Sequence, residues 1–167
     1  MKVTAVTEID ETKDEKIKVD FPDVTIYRDY KEMVDNGDID AVLTAVPHYL
    51  HQEMAIYALE NNKHVLNEKP AGVYTEQVKK LNEVAEAKKD EVTYAIMFNQ
   101  RNNHLYQKIK EIVENGEIGN IRRTNWIITT WWRPQAYYDM SDWRATWGAE
   151  GGGVLVNQAP HQLDLIQ

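Results

Sequence analysis

The sequence holds no cysteine, which excludes a disulfide framework, a thiolate metal site and a thiol nucleophile. It has no apolar run of membrane-spanning length, and its start, MKVTAVTEIDETK, has no signal-peptide hydrophobic segment. A cytoplasmic protein without a membrane partner is therefore expected. Positive charge is short: 27 acidic residues stand against 19 basic ones, for a net charge of −8, and no Lys/Arg run interrupts this. That balance argues against nucleic acid as a partner. Glycine is scarce as well. The eight glycines (37, 72, 116, 119, 148 and 151–153) contain no G-x-G-x-x-G, the turn that opens a dinucleotide fold.

What is present suffices for a core: 43% of 167 residues are hydrophobic, enough for one domain or two small ones. The most informative stretch is Asp40–Pro70. Ala41 to Ala45 is a short apolar run that reads as a buried strand, and Pro47 stops it. From His48 onward Leu50, Met54, Ala55, Ala58 and Leu59 fall on one helical face, and Asn61 and Asn62 end the helix. His64 to Leu66 reads as a second strand, with Glu68, Lys69 and Pro70 directly after it. This βαβ order predicts parallel neighbouring strands. Ligands of open α/β sheets bind beyond the carboxyl ends of the strands, and here those ends carry Pro47, His48 and His51, then Glu68, Lys69 and Pro70. On spacing alone, Lys69 reads equally well as a solvated turn lysine.

Around this unit the pattern repeats. Lys2 to Thr7 and Val24 to Tyr27 read as strands, and Asp29 or Tyr30 opens a helix closed by Asn36-Gly37. Thr75 reads as the N-cap of a helix reaching about Lys88, and Val92 to Met97 as a further strand. Asn102 reads as the cap of a helix ending at Asn115-Gly116, and Ile121 to Thr130 as a strand with one wet face. Trp131 to Trp147 is rich in aromatics and arginine, including Trp132, Arg133, Tyr137, Tyr138, Trp143 and Arg144. It reads either as a loop over a sheet edge or as a wall facing a carbohydrate, since Arg bonds hydroxyls and carboxylates. Near the end, Asn157 and His161 are four apart, and Pro160 between them predicts a kink or a helix restart. No metal-ligand spacing is present; His48 and His51 lack a third partner.

Two blocks, AVPHYLHQEMAIYALENNKHVLNEKP and WRATWGAEGGGVLVNQAPHQLDL, together resemble the Gfo/Idh/MocA oxidoreductases, with their Glu-Lys-Pro turn and Gly-Gly…His-x-x-Asp block. The resemblance implies an α/β fold: a partial Rossmann-type parallel sheet over residues 1–98, then the start of an α+β second domain over 99–167. It implies a fragment lacking the N-terminal glycine-rich strand-turn-helix and most of the C-terminal domain, with a gap in the sheet between the strands near Val3 and Val42. It further implies Lys69 and His161 as catalytic residues. Glu8, Ala45, Pro47, His51, Glu68, Lys69 and Asn99 would contact the cofactor, NAD or NADP. Glu8 ends the first strand as a ribose ligand would and leans the choice to NAD. Lys69, Arg101, Trp143, Arg144, Asn157 and His161 would contact a carbohydrate or cyclitol. The full-length form would be a homo-oligomer.

Nicotinamide-linked oxidation of a secondary alcohol needs a base for the hydroxyl proton and a cation for the developing oxyanion. His161 suits the first role and Lys69 the second. Many family members carry Asp where Asn157 stands, so the proton relay here differs in detail. Asp164 reads as structural, bonding backbone near the helix end, with a substrate contact as the alternative. The alternative is a non-catalytic binding or regulatory protein that kept the scaffold, which the absent glycine turn favours. A carbohydrate hydrolase would need a carboxylate pair that the sequence does not nominate.

Overall fold

Ala5–Thr7 (β1) and Thr25–Tyr27 (β2) pair in parallel, with Val6 opposite Ile26. Asp14–Asp20 (α1) connects them and Tyr30–Asn36 (α2) comes next. Ala41–Thr44 (β3), His64–Asn67 (β4) and Tyr94–Ile96 (β5) form a second parallel sheet in that spatial order, with Val42 opposite Val65 and Leu66 opposite Ala95. Its crossovers are His51–Glu60 (α3), preceded by a 3₁₀ turn over His48–Leu50, and Thr75–Ala87 (α4). This computed structural model describes residues 2–129 and 132–167.

The chain divides into two units, 1–97 and 98–167. In the first, parallel strands joined by helices are what the βαβ reading requires. The expected break is present: among the described residues no ladder joins β1 to β3. Among those residues β1 pairs only with β2, and β3 only with β4. The two small sheets are tied through α2 and its flanks. The Thr4 hydroxyl donates to the Asp38 carbonyl at 3.1 Å, and the Thr7 hydroxyl meets Met33 Sδ at 3.3 Å.

The core lies along the helical faces. Ala55, Ile56, Ala58 and Leu59 of α3 and Leu81 of α4 are buried with Val34, Val42, Val65 and Val92. β3 alternates, with Val42 and Thr44 buried but Ala41 and Leu43 exposed. Its helices thus cover one face only, although parallel sheets are generally covered on both. The end of α3 is marked by Asn62, at φ 58°, the left-handed conformation Asn tolerates.

In the second unit Asn99–Asn102 forms a 3₁₀ turn that leads into His104–Glu114 (α5). Gln135–Asp139 (α6), Val154–Asn157 (α7) and Pro160–Ile166 (α8) complete the described helices. α8 restarts at Pro160, as the missing proline N–H demands.

Three expectations are corrected. Tyr74, not Thr75, caps α4, because Gln77 Oε1 accepts from the N–H groups of Val73 (2.9 Å) and Tyr74 (3.2 Å) and holds the entry extended. Asn103, not Asn102, caps α5, its side chain accepting from the Leu105 N–H at 3.0 Å. Residues 121–129 form no ladder and lie exposed. Their β-branched, alternating sequence has no strand of the described chain to pair with, and a strand without a partner leaves its N–H and C=O groups to water. Thr130 and Trp131 lie outside the described residues.

Candidate functional site

In the first unit the parallel register brings the ends of β3 and β4 side by side, so the loops leaving them emerge together. Ala45 is exposed and Pro47 half-buried just past β3; Glu68 and Lys69 are half-buried just past β4. The two exits are strapped by His51. That ring is 1% exposed. Its Nδ1 lies 2.6 Å from the Pro70 carbonyl and its Nε2 2.7 Å from the Val46 carbonyl. A neutral imidazole donates to one carbonyl only; imidazolium donates to both. His51, expected as a cofactor contact, is thus a buried strut between the loops that carry Pro47 and Lys69. His48 is buried beside it, the ring centroids 5.7 Å apart.

Behind this rim lies a polar pair missed by the sequence reading. Thr44 and Asn67, both buried, stand opposite one another, and the threonine hydroxyl donates to Asn67 Oδ1. Asn67 Nδ2 reaches the Tyr94 hydroxyl at 3.4 Å. The burial of Tyr94 is the main reason its phenol is pushed up. An Asn inside an apolar strand was the available signal.

Glu8 stands just past β1. Its Oε1 accepts from the Asp10 N–H at 2.9 Å, and its Oε2 lies 3.0 Å from Lys13 Nζ. Burial alone would raise this carboxyl, but the Asp10 N–H and the Lys13 ammonium outweigh it and hold Glu8 below its ordinary value. A carboxylate has about four lone-pair directions, so two oxygens with one donor each still have room for ribose hydroxyls. Ligands of open α/β sheets lie beyond the carboxyl ends of the strands, and a dinucleotide there would meet these groups. For its pyrophosphate the sequence provides no G-x-G-x-x-G turn.

The second unit gathers the remaining candidates into two groups. Phe98 meets the His161 ring edge-on, with centroids 6.0 Å apart and planes at 82°. Arg101 lies over the same Phe98 ring at 5.4 Å. Its Nε donates to Asp164 Oδ2 at 2.7 Å and its Nη2 to Asp164 Oδ1. This bidentate bond raises the guanidinium above its ordinary value. Asp164 thus bonds a side chain rather than the backbone expected for it. Asn99 is exposed on the turn that carries Arg101.

The other group centres on Glu150, which the sequence reading missed. It is buried, with Oε2 accepting from the Ala145 N–H at 2.6 Å and Oε1 from Asn157 Nδ2. Asn157, expected to orient a sugar, is itself buried in this pairing. Only an acid just ahead of three glycines hinted at it. A cavity of about 470 Å³ lies alongside, lined by Trp132, Arg133, Tyr138, Trp147 and Glu150 among others. Trp143 and Arg144 are stacked elsewhere. The Arg144 guanidinium sits 4.4 Å from the Tyr137 ring centre and 4.6 Å from that of Trp143, and donates to the Tyr137 hydroxyl at 2.6 Å.

Among the described residues no group of three or more His, Asp or Glu is placed to hold a metal ion, and no helix is long and apolar enough to cross a membrane.

Residues 1–96 match the model of an oxidoreductase family with an NAD-binding Rossmann fold. The chain is similar to a 1-carboxy-3-chloro-3,4-dihydroxycyclo hexa-1,5-diene dehydrogenase of Comamonas testosteroni, 29% identical over 170 residues, covering 100% of this chain and 41% of that protein. It is also similar to a levoglucosan dehydrogenase of Pseudarthrobacter phenanthrenivorans, 30% identical over 139 residues, covering 83% of this chain and 35% of that one. Among solved structures, the WlbA dehydrogenase of Bordetella pertussis, in complex with NADH and UDP-GlcNAcA, matches with a TM-score of 0.86 at 26% identity, over 99% of this chain and 46% of that one. The chain spans less than half the length of each of these relatives. Residues 106–167 match the Gfo/Idh/MocA C-terminal domain, and with the Rossmann-domain model matched over more than half of its length, the chain belongs to the Gfo/Idh/MocA oxidoreductase family.

Proposed function

We propose that the protein is an NAD(P)-dependent dehydrogenase that oxidises a secondary alcohol of a sugar, sugar derivative or cyclitol. The observation that carries this is the Glu68-Lys69-Pro70 turn at the carboxyl end of β4, braced by His51 against the exit of β3, in a chain of this family. A bound nicotinamide would supply the hydride acceptor. Glu8 would accept from ribose hydroxyls, and Ala45, Pro47 and Glu68 would line the cofactor's edge at the strand ends. Lys69 would place its ammonium on the substrate oxygen and lower the cost of alkoxide character there. His161 would take the hydroxyl proton, an imidazole being the side chain suited to that exchange near neutral pH. His51 would act indirectly, by setting the separation of the two loops.

The carbohydrate or cyclitol class is supported by the aromatic and arginine cavity near Glu150 and by what relatives act on, levoglucosan in one case and UDP-GlcNAcA bound in another. A carboxylate at the end of β1 repels a 2′-phosphate and favours NAD over NADP. NADH titration of the 167-residue chain, monitored by nicotinamide fluorescence, tests the reading. Saturable binding, tighter than for NADPH and weakened at least several-fold by Glu8→Ala, supports it. No binding by this chain or by a form extended with a G-x-G-x-x-G strand and turn would overturn it in favour of a non-catalytic scaffold.

A further inference from the structure

Arg101 reads from sequence as a substrate ligand, yet its guanidinium is already engaged. It meets Asp164 through two N–H groups, Nε at 2.7 Å and Nη2 alongside. The Asp164 side chain is only 5% exposed. Two parallel bonds fix the plane of a guanidinium against a carboxylate, which a single contact cannot do. Asp164 lies three residues beyond His161 in α8, so the two project from the same side of that helix, one turn apart. The circuit closes through Phe98, whose ring takes the Arg101 guanidinium at 5.4 Å and meets His161 edge-on at 6.0 Å.

We propose that Arg101 is a positioning residue for His161. Through Asp164 it holds α8 at one height against the Phe98 turn, and it cancels a buried carboxylate one turn from the imidazole. The inference rests on the reading of His161 as the proton acceptor. It assigns Arg101 no contact with the reacting atoms. A carboxylate left alone at that spacing would strengthen the imidazole's hold on its proton; an arginine left alone would weaken it. Paired, the two charges offset one another. Glu150, held by Asn157 of the neighbouring α7, is the same in every variant below.

The test is a proton NMR titration of the histidines in the 167-residue chain, with His161 assigned among the five by its loss in His161→Gln. Arg101→Ala is expected to raise the His161 midpoint, and Asp164→Asn to lower it, each by about half a pH unit for a single charge at such a separation. Arg101→Lys keeps the charge and is expected to restore the midpoint. It is not expected to restore the Phe98 ring-current shift on the imidazole protons, because a point ammonium lacks the planar fork. Loss of structure would carry both variants to the same unfolded midpoint, so opposite signs cannot come from unfolding. Shifts of the same sign, or none, overturn the proposal. Neither result touches the NADH titration, so failure of the clamp and failure of the dehydrogenase reading are told apart.

Discussion

The two units are stabilised in different ways. In residues 1–97 the larger part of the interior is apolar: Val34, Val42, Ala55, Leu59, Val65 and Leu81 are buried together with hydrogen-bonded parallel strands, and the buried polar residues Thr44, His48, His51 and Asn67 stand at the strand ends. Among the described residues of 98–167 the buried ones are polar, Glu150 and Asn157, while Leu105, Ile109, Ile127, Trp132 and Trp147 are exposed. One region is held by apolar surface removed from water, which is non-directional and scales with area. The other is held by directed contacts: a carboxylate on an amide, an arginine on an aspartate, arginines on aromatic faces. The first kind of stabilisation tolerates small shifts. The second is lost when one partner goes, because a buried polar group then stands without its bond. The contrast also explains where chemistry is proposed to sit. Lys69 stands on a rim braced by His51, whereas His161 is oriented by a network whose members each matter individually.

The largest effect should come from breaking the apolar side of this comparison. Leu59 is fully buried where α3 meets the core. Leu59→Ala should cost about 2–5 kcal/mol, the removed methyl groups plus the cavity they leave, read from the urea midpoint by far-UV circular dichroism. An equal loss of structure in both units would contradict the division between them. A smaller effect is expected in the polar network. Asn157→Ala removes the amide that bonds Glu150 and should cost about 1–3 kcal/mol. Its loss should appear in the near-UV signal of the tryptophans, all of which lie beyond residue 125, before the far-UV signal changes.

The smallest effect concerns Glu8, where the sign is set by its lowered folded value. A carboxyl that is more acidic folded than unfolded stabilises the fold fully above its unfolded value. That contribution is lost as pH falls through the ordinary glutamate range toward the folded value. Glu8→Gln should therefore flatten the acid limb of the stability curve below about pH 4.5 and lower stability modestly at pH 7. Urea midpoints from pH 7 to 3 decide it; an unchanged acid limb would mean that the Asp10 and Lys13 contacts do not persist in solution.

Much of the first unit was legible in the sequence because its signals are local. The Ala41–Ala45 run, the α3 face and the Asn62 end each depend on residues a few positions apart, and the break between β1 and β3 came from a strand order and a missing glycine turn. Caps slipped by one residue, at Tyr74 and Asn103, because the choice rested on which backbone N–H a side chain reached. The second unit was less legible. The strand expected from Ile121 failed because a β-pattern specifies a willingness to pair, and no partner strand of the described chain stands beside it. Glu150 escaped notice because an acid's default place is the surface, and only its bond to an amide seven residues on keeps it inside.

By itself the sequence determined which residue types stand at the strand exits, since composition and short-range periodicity set where each strand ends and which side chains leave it. Only the tertiary structure decided what each of those groups does there. It turned His51 into a strut between two carbonyls, set Asp164 against Arg101 from 63 residues away, and drew Asn157 onto Glu150. Those outcomes depend on donors and acceptors meeting across loops and helices, where distance and angle decide the bond and sequence separation says nothing.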